Sequence, residues 1–115
     1  MIFALQLAFA LHLALPQEGY ATWYSAPSGA KTASGEVFDT KRLTAAHRTL
    51  PFGTCVDVTR LDTGKTVRVR ITDRGPYAAK DRIIDLSYAA AVRIGMETMG
   101  VARVRLRRAK GKCRR

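Results

Sequence analysis

Several features that define common enzyme and membrane-protein classes are missing from this 115-residue sequence. No apolar run reaches the ~18 residues that a membrane-spanning helix needs. No Gly-rich phosphate loop, Gly-x-Ser-x-Gly turn or His-Glu-x-x-His zinc motif occurs. The two cysteines, Cys55 and Cys113, stand in no CxxC or other metal-ligand spacing. We therefore expect no transmembrane helix, no metal site and no cofactor.

Acidic residues are also scarce. Asp and Glu total 9 against 20 Lys and Arg, which gives a formal net charge of +11. Such a chain favours anionic partners, such as nucleic acid, acidic lipid or an anionic wall polymer. Eight basic residues and no acid lie between Arg103 and Arg115. We interpret this segment as a solvated strand edge that resists aggregation, with attraction to a wall polyanion as the alternative. No nucleic-acid-binding motif accompanies it, so we expect no nucleic-acid partner.

An apolar segment opens the sequence. Residues Ile2 to Leu15 are apolar except for Gln6 and His12, and Pro16 ends the run. This length matches the core of an export signal and is too short to span a membrane. We predict a signal peptide over residues 1–16 and a location in the periplasm or outside the cell. A buried N-terminal helix is the alternative.

The even pair of cysteines has two interpretations. In an exported chain, Cys55 and Cys113 are expected to form one disulfide, because the compartment is oxidising. The bridge would fix the basic tail, residues 109–115, to a core strand. In a cytosolic chain both residues would be free thiols.

Short segments with the alternating pattern of half-buried strands dominate the rest of the chain. In the clearest one, residues 65–72, the side chains of Val67, Val69 and Ile71 are expected inside and those of Arg68, Arg70 and Thr72 outside. Further strands are predicted at 21–24, 43–46, 54–60, 83–84 and 102–107, and a helix at 88–94 with Ser87 as its N-cap. Six strands and one or two short helices, joined by Gly-containing turns, predict an all-β closed barrel over residues 17–108.

Asp73 is the strongest catalytic candidate from its local sequence. It ends an alternating strand and precedes Arg74-Gly75-Pro76, a rigid turn, so its carboxyl group is expected to be fixed and partly desolvated. Desolvation raises the pKa of a carboxyl group, which suits a general acid. An ion pair with Arg74 that stabilises the turn is the alternative.

Three other titratable residues each have a functional and a structural interpretation. Glu36 follows a small, polar loop, where an ordinary exposed acid is the alternative. His47 follows two alanines, where a buried histidine with satisfied hydrogen bonds is the alternative. Asp85 precedes a predicted helix start, where helix capping or a hydrogen bond to the turn is the simpler interpretation.

Four strings resemble the rare lipoprotein A (RlpA-like) family and follow the family's order. They are Ala21 to Tyr24 with Thr32 to Asp39, Leu43 to Thr54, Thr72 to Pro76, and Arg82 to Ser87. The resemblance covers Gly19 to about Leu106 and implies a six-stranded double-psi β-barrel. It also implies a lytic transglycosylase that cleaves the glycan of peptidoglycan, preferentially strands without stem peptides, and leaves 1,6-anhydro ends.

The resemblance places the family's functional residues at Asp73, Glu36 and His47. We expect Asp73 to be the acid/base, Glu36 to orient the substrate or stabilise positive charge on the sugar, and His47 to position the acid or the sugar. Four further residues are expected to bind substrate: Trp23, Tyr24, Arg74 and Asp85.

The same barrel occurs in expansins, which loosen walls without hydrolysing them. The fold therefore leaves a second function open, a non-catalytic wall-binding or wall-loosening module. Under either function the expected partner is the peptidoglycan glycan strand and the expected state is a monomer.

Overall fold

Six strands and one helix make up the regular structure of the residues that the structure describes. A computed structural model describes residues 15–27 and 29–113. Its elements are β1 (Gln17–Trp23), β2 (Thr44–Ala46), β3 (Cys55–Arg60), β4 (Thr66–Asp73), β5 (Arg82–Leu86), α1 (Tyr88–Arg93) and β6 (Val101–Arg108). The predicted six strands and short helix are confirmed, although β1 begins four residues earlier than expected and ends before Tyr24. The predicted signal peptide, residues 1–16, lies outside the described residues except for Leu15 and Pro16.

The strands close into a barrel in the order β1-β5-β2-β4-β3-β6, with β6 pairing back to β1. The β1–β5 and β2–β4 pairs are parallel, and the other pairs are antiparallel. Each of the six strands is therefore paired on both sides, which removes the open edge on which another chain could add. The predicted closed barrel is confirmed. No helix within 15–27 and 29–113 has the length and hydropathy of a membrane-spanning segment.

Alternating side chains fill the barrel interior. On β4, Val67, Val69 and Ile71 are buried as predicted, and they belong to one apolar cluster with residues of every other strand. Full burial of one such side chain stabilises the fold by about 1.5–3 kcal/mol. Helix α1 adds Ala90 and Ala91 to the same cluster. Its predicted N-cap is confirmed, because the Ser87 hydroxyl accepts the Ala90 N–H at 3.3 Å.

The outward side of β4 differs from the prediction at Arg70 and Thr72, which are buried with 7% and 2% of their surface exposed. The loop over residues 29–37 covers them. Ser34 N–H donates to the Thr72 carbonyl at 3.1 Å, and the Glu36 carboxylate forms an ion pair with the Arg70 guanidinium. Alternation correctly separates these residues from the core, but it does not predict the loop that closes over them.

The C-terminal tail lies against the start of β3. Ala109 N–H donates to the Cys55 carbonyl at 2.9 Å. The sulfurs of Cys55 and Cys113 are bonded, with Cα atoms 5.5 Å apart and a sequence separation of 58 residues. The residues after β6 therefore fold back along the barrel. Formation of this bridge in the exported protein remains a prediction.

Candidate functional site

A row of four residues crosses the barrel surface from β4 to β1. The strand registers pair Asp73 with Ala46, Ala46 with Asp85, and Asp85 with Thr22. Two strand spacings put the Asp73 and Asp85 backbones roughly 9–10 Å apart. The residue between them, Ala46, is buried, with 3% of its surface exposed. The topology thus brings two carboxyl groups together that the sequence alone does not connect.

Asp73 is held by backbone groups. Its Oδ1 accepts the N–H groups of Ala33 and Arg74, each at 2.9 Å. Its own carbonyl accepts the His47 N–H at 3.1 Å. No donor in the described part of the chain reaches Oδ2, so this oxygen is the one that a ligand can contact. The carboxyl group is fixed in place, as the sequence predicts.

The Arg74 side chain turns away from Asp73. Its Nη1 donates to the carbonyls of His47 at 3.1 Å and Leu50 at 2.9 Å, and its guanidinium carbon lies 3.9 Å from the Phe52 ring centroid. The alternative interpretation, an ion pair between Asp73 and Arg74, is therefore wrong. The guanidinium that we expected to bind substrate makes its contacts inside the protein and holds the turn over residues 47–50.

His47 is buried and uses both ring nitrogens. Nδ1 accepts the N–H groups of Thr49 and Leu50, each at 3.1 Å, so Nδ1 carries no proton. The proton is then on Nε2, which donates to Gln17 Oε1 at 3.0 Å. Burial, together with the charges of Arg74 and Arg48, lowers the pKa of His47 to about 4. The ring is neutral and supports the turn, and it meets Asp73 only through its backbone N–H.

Asp85 lies on β5, where the Thr22 hydroxyl donates to its Oδ1 at 2.9 Å. Burial raises the pKa of Asp85, the Thr22 hydrogen bond opposes this change, and the charge of Asp73 adds to it. The interpretation of Asp85 as a helix cap is wrong, because Ser87 caps α1. Asp85 is thus a partly buried acid close enough to Asp73 for the two charges to interact.

Two aromatic residues at the end of β1 border the row. The Tyr24 hydroxyl is buried without a hydrogen-bond partner among the described residues. Burial and the negative charges of Asp73 and Asp85 raise the pKa of Tyr24. Trp23 Nε1–H donates to the Glu97 carbonyl at 3.1 Å, which fixes its ring. An unpaired buried hydroxyl is costly, and this oxygen has almost no accessible surface through which a ligand could reach it.

A groove of about 490 Å³ opens beside the row. Its lining includes Thr22, Trp23 and Asp85 on one side and the segment 74–78 on the other. Tyr77, on this segment, is 73% exposed. Binding grooves are typically lined by aromatic side chains with a few polar groups, and this groove has both. Tyr77 was not predicted from the sequence, although an aromatic residue directly after a Gly-Pro turn is an indication of an exposed, ligand-facing ring.

Glu36 lies on the neighbouring side of β4. Its Oε1 accepts Arg70 Nη2–H at 2.7 Å, and its Oε2 accepts Arg70 Nη1–H. Together with Thr72 these residues line a small cavity of about 20 Å³ instead of the larger groove. Of the predicted site residues, the structure brings Asp73, Asp85, Trp23 and Tyr24 together and puts Glu36, His47 and the Arg74 guanidinium behind or beside them.

Arg48 is a positioning residue that the sequence analysis missed. Its guanidinium donates to the carbonyls of Pro76 at 2.7 Å, Ala79 at 2.5 Å and Arg82 at 2.7 Å. These bonds hold the segment that forms one wall of the groove. No local pattern in the sequence marks this role, because the three carbonyls are brought to Arg48 by the fold.

Comparison with protein families identifies one match over almost the whole barrel. The model of the family described as "Lytic transglycolase" matches residues 16–106. The chain is 54% identical over 110 residues to the "Probable endolytic peptidoglycan transglycosylase RlpA" of Treponema pallidum, which covers 95% of this chain and 34% of that protein. It is 51% identical over 89 residues to the "Endolytic peptidoglycan transglycosylase RlpA" of Pseudomonas aeruginosa, which covers 76% of this chain and 26% of that protein. The chain therefore spans about a third or less of these relatives' length.

A solved structure has the same fold. The barrel superimposes on apo expansin of Clavibacter michiganensis with a TM-score of 0.68 and 24% identity, over 87% of this chain and 53% of that one. At this identity the likeness concerns the fold alone. It agrees with the double-psi β-barrel that the sequence motifs imply.

Proposed function

Because the chain belongs to the RlpA-like lytic transglycolase family of double-psi β-barrels, we propose that it is an endolytic peptidoglycan transglycosylase. Its substrate is the glycan strand of alternating MurNAc and GlcNAc, in the form stripped of stem peptides. The names of the relatives at about 50% identity support this substrate. The protein acts as a monomer in the cell envelope, in the periplasm or outside the cell, and residues 1–16 serve as its export signal.

The observation on which this proposal depends is the hydrogen bonding of the Asp73 carboxyl group. Two backbone N–H groups fix one carboxyl oxygen, and the other accepts no hydrogen bond from the described residues. Asp73 directly precedes Arg74, which lines the groove. A proton donor and acceptor must lie within hydrogen-bond reach of the group it serves, and a fixed carboxyl group meets that condition without reorganisation.

One carboxyl group is enough for the reaction. Protonated Asp73 donates its proton to the glycosidic oxygen as the bond from that oxygen to C1 of the muramyl sugar breaks. The C6 hydroxyl of the same sugar then attacks C1, and its proton passes to the Asp73 carboxylate. The products are a 1,6-anhydro end and a free hydroxyl on the leaving sugar, and Asp73 is again protonated. A hydrolase would instead use a second carboxylate to activate water.

The residues around Asp73 have supporting roles. Asp85 lies across Ala46 from Asp73 and stabilises the positive charge that develops at C1. The exposed Tyr77 ring packs on a sugar face, and the Tyr24 ring, which packs against Phe38, supports the chain directly after β1 beside the row. Glu36 acts through the loop, because its ion pair with Arg70 anchors the segment whose Ala33 N–H binds Asp73. His47 and Arg74 hold the turn behind the acid.

Product analysis with Asp73→Asn tests the proposal. The amide keeps the shape of the side chain but does not titrate, so turnover on purified sacculi and on peptide-free glycan should fall about 10²–10⁴-fold. Mass spectrometry should find 1,6-anhydro ends from the parent and none from the variant. Asp62→Asn, at an exposed turn acid 63% accessible in its side chain, is the matched control and should keep full activity.

Two results would contradict the proposal in different ways. Reducing ends from the parent would mean hydrolysis by two carboxylates. Tight binding to glycan with no new ends of either kind would make the protein a wall-binding module.

A further inference from the structure

A basic trough runs along the barrel surface and shares no lining residue with the groove beside Asp85. It consists of two adjoining cavities of about 450 and 380 Å³, both lined by Arg70 and Lys112. We define the basic trough by its seven cationic residues: Lys41, Arg42, Arg68, Arg70, Arg93, Arg108 and Lys112.

The positive charge of the basic trough is only partly compensated. Three of its arginines are paired, Arg42 with Asp39 at 3.6 Å, Arg68 with Asp57 at 2.9 Å, and Arg70 with Glu36. The other four cations have no carboxylate within ion-pair distance in the part of the chain that the structure describes: Lys41, Arg93, Arg108 and Lys112. All four are solvent-exposed.

These charges are gathered by the fold and not by a run of sequence. They come from the segment before β2, from β4, from the end of α1, and from β6 and the tail. The bond between Cys113 and Cys55 fixes the tail, so that Lys112 lines both cavities. Like charges held together in a concave surface repel one another and focus a positive potential, which an anionic ligand relieves.

We propose that the basic trough binds a linear polyphosphate chain, a role beyond the proposed glycan cleavage. The two cavities share Arg70 and Lys112 and together present seven cations, more than a single ion could contact. Five of the seven cations are arginines, whose planar guanidinium groups bind phosphate oxygens in pairs.

Binding of long-chain inorganic polyphosphate to the whole protein tests this site. Fluorescence anisotropy at low salt should show tighter binding to polyphosphate than to orthophosphate, to poly-glutamate of matched length or to phosphatidylglycerol vesicles. Affinity should fall steeply as salt rises, because binding releases counterions. Equal or tighter binding to orthophosphate, to poly-glutamate or to vesicles would overturn the proposal, in favour of a simple anion site, a charge-only surface or a membrane surface respectively.

A triple variant and a control of equal charge locate the binding. Lys41→Gln, Arg93→Gln and Lys112→Gln together remove three charges of the basic trough, and Lys31→Gln, Lys65→Gln and Lys80→Gln remove three elsewhere. Each triple variant lowers the formal net charge from +11 to +8. The trough variant should lose about tenfold or more in polyphosphate affinity. The slope of log affinity against log salt concentration should become shallower by about 2–3. The control should stay within about twofold of the parent. Equal losses in both variants would show that net charge alone drives binding and would refute the site.

Cleavage of peptide-free glycan separates this site from the proposed active site. The trough variant should cleave at the parent rate, and a parallel loss of cleavage would make the basic trough part of the glycan site and overturn the proposal. Polyphosphate binding is measured without turnover. The result of the binding experiment therefore does not depend on whether the protein is a transglycosylase.

Discussion

Two carboxyl groups in one row, Asp73 and Asp85, have opposite surroundings. Backbone N–H groups hold Asp73, whereas Asp85 is half-buried and has one hydroxyl partner, Thr22. Separate environments are how neighbouring acids acquire separate roles. The different surroundings therefore assign the acid/base role to Asp73 and the electrostatic role to Asp85.

Asp85→Asn should lower activity while keeping or increasing stability at pH 7. Because burial raises the pKa of Asp85, its ionised form destabilises the folded state above that pKa, and the penalty disappears as pH falls below it. The amide has no charge to desolvate and can still accept the Thr22 hydrogen bond. Urea unfolding at pH 7 and pH 4 should show a stability gain only at pH 7.

Asp62→Asn is the control for this prediction. The Arg60 hydrogen bond lowers the pKa of the exposed Asp62, so neutralising it should bring no gain at pH 7. A clear loss of stability at pH 7 for Asp85→Asn would contradict the assigned environment.

His47 should make the fold sensitive to mild acid. Its pKa in the folded state is about 4 against 6.5 in the unfolded chain, so between these values the unfolded state binds the extra proton. Stability therefore falls as pH drops from about 6.5 to about 4, by up to about 3 kcal/mol. His47→Gln should be less stable at pH 7 but should show a shallower decline, as measured by urea unfolding across this range. Parallel profiles for the two proteins would contradict a neutral His47.

At the scale of elements, two loops are held to the barrel by arginines. Arg70 holds the loop over residues 29–37 through Glu36, and Arg48 holds the segment 74–82 through three carbonyls. The first loop contacts Asp73 through the Ala33 N–H, and the second lines the groove together with Asp85. The barrel provides rigidity, and the loops shape the site.

Arg48→Lys should loosen the groove wall without unfolding the barrel. A lysine ammonium is compact and cannot satisfy three carbonyls that a planar guanidinium reaches. Hydrogen exchange of the amides over residues 74–82 should become faster, and KM for glycan should rise more than kcat falls. Arg107→Lys, an exposed position on β6, is the control and should leave exchange unchanged. Unaltered exchange over 74–82 in Arg48→Lys would show that the loop is held by other contacts.

Local patterns in the sequence predicted the elements well. Alternation identified β3, β4 and β6 to within a residue or two, and Ser87 marked the start of α1. These signals depend on neighbours in the chain, which a single sequence contains. The position of Asp73 at the end of an alternating strand and the motif resemblance both indicated this residue, whose carboxyl group two backbone N–H groups fix.

Contacts between distant segments were not predictable in this way. Arg70 is buried only because Glu36, 34 positions earlier, folds onto it. Arg74 turns from Asp73 to the carbonyls of His47 and Leu50, which a neighbouring turn presents. Asp85 joins Asp73 because β2 lies between β4 and β5, and periodicity does not define strand order.

At the scale of the whole molecule, the bond between Cys55 and Cys113 should be a main source of stability. The bond joins residues 58 positions apart. A loop of this length lowers the entropy of the unfolded chain and can raise the free energy of unfolding by up to about 4 kcal/mol. Protein purified from the periplasm or medium should show an intact mass two hydrogens lighter than the reduced form. Its urea midpoint should fall on adding reductant.

The variant with both cysteines changed to serine is the control for this bridge. It should unfold at the midpoint of the reduced parent and should not respond to reductant. Two alkylatable thiols in protein purified from the oxidising compartment would refute the bridge.

The pairing of the first strand with the last has a consequence for chain connectivity. Gln17 lies opposite Leu106, so the two ends of the barrel segment emerge side by side. A short flexible linker from the tail to Leu15 would join them, and new ends could open in the exposed turn at Asp62 to Gly64 between β3 and β4. Such a circular permutant should fold to the same barrel, since every strand keeps its two neighbours. Several covalent orders of the strands are thus compatible with the same closed set of strand pairs.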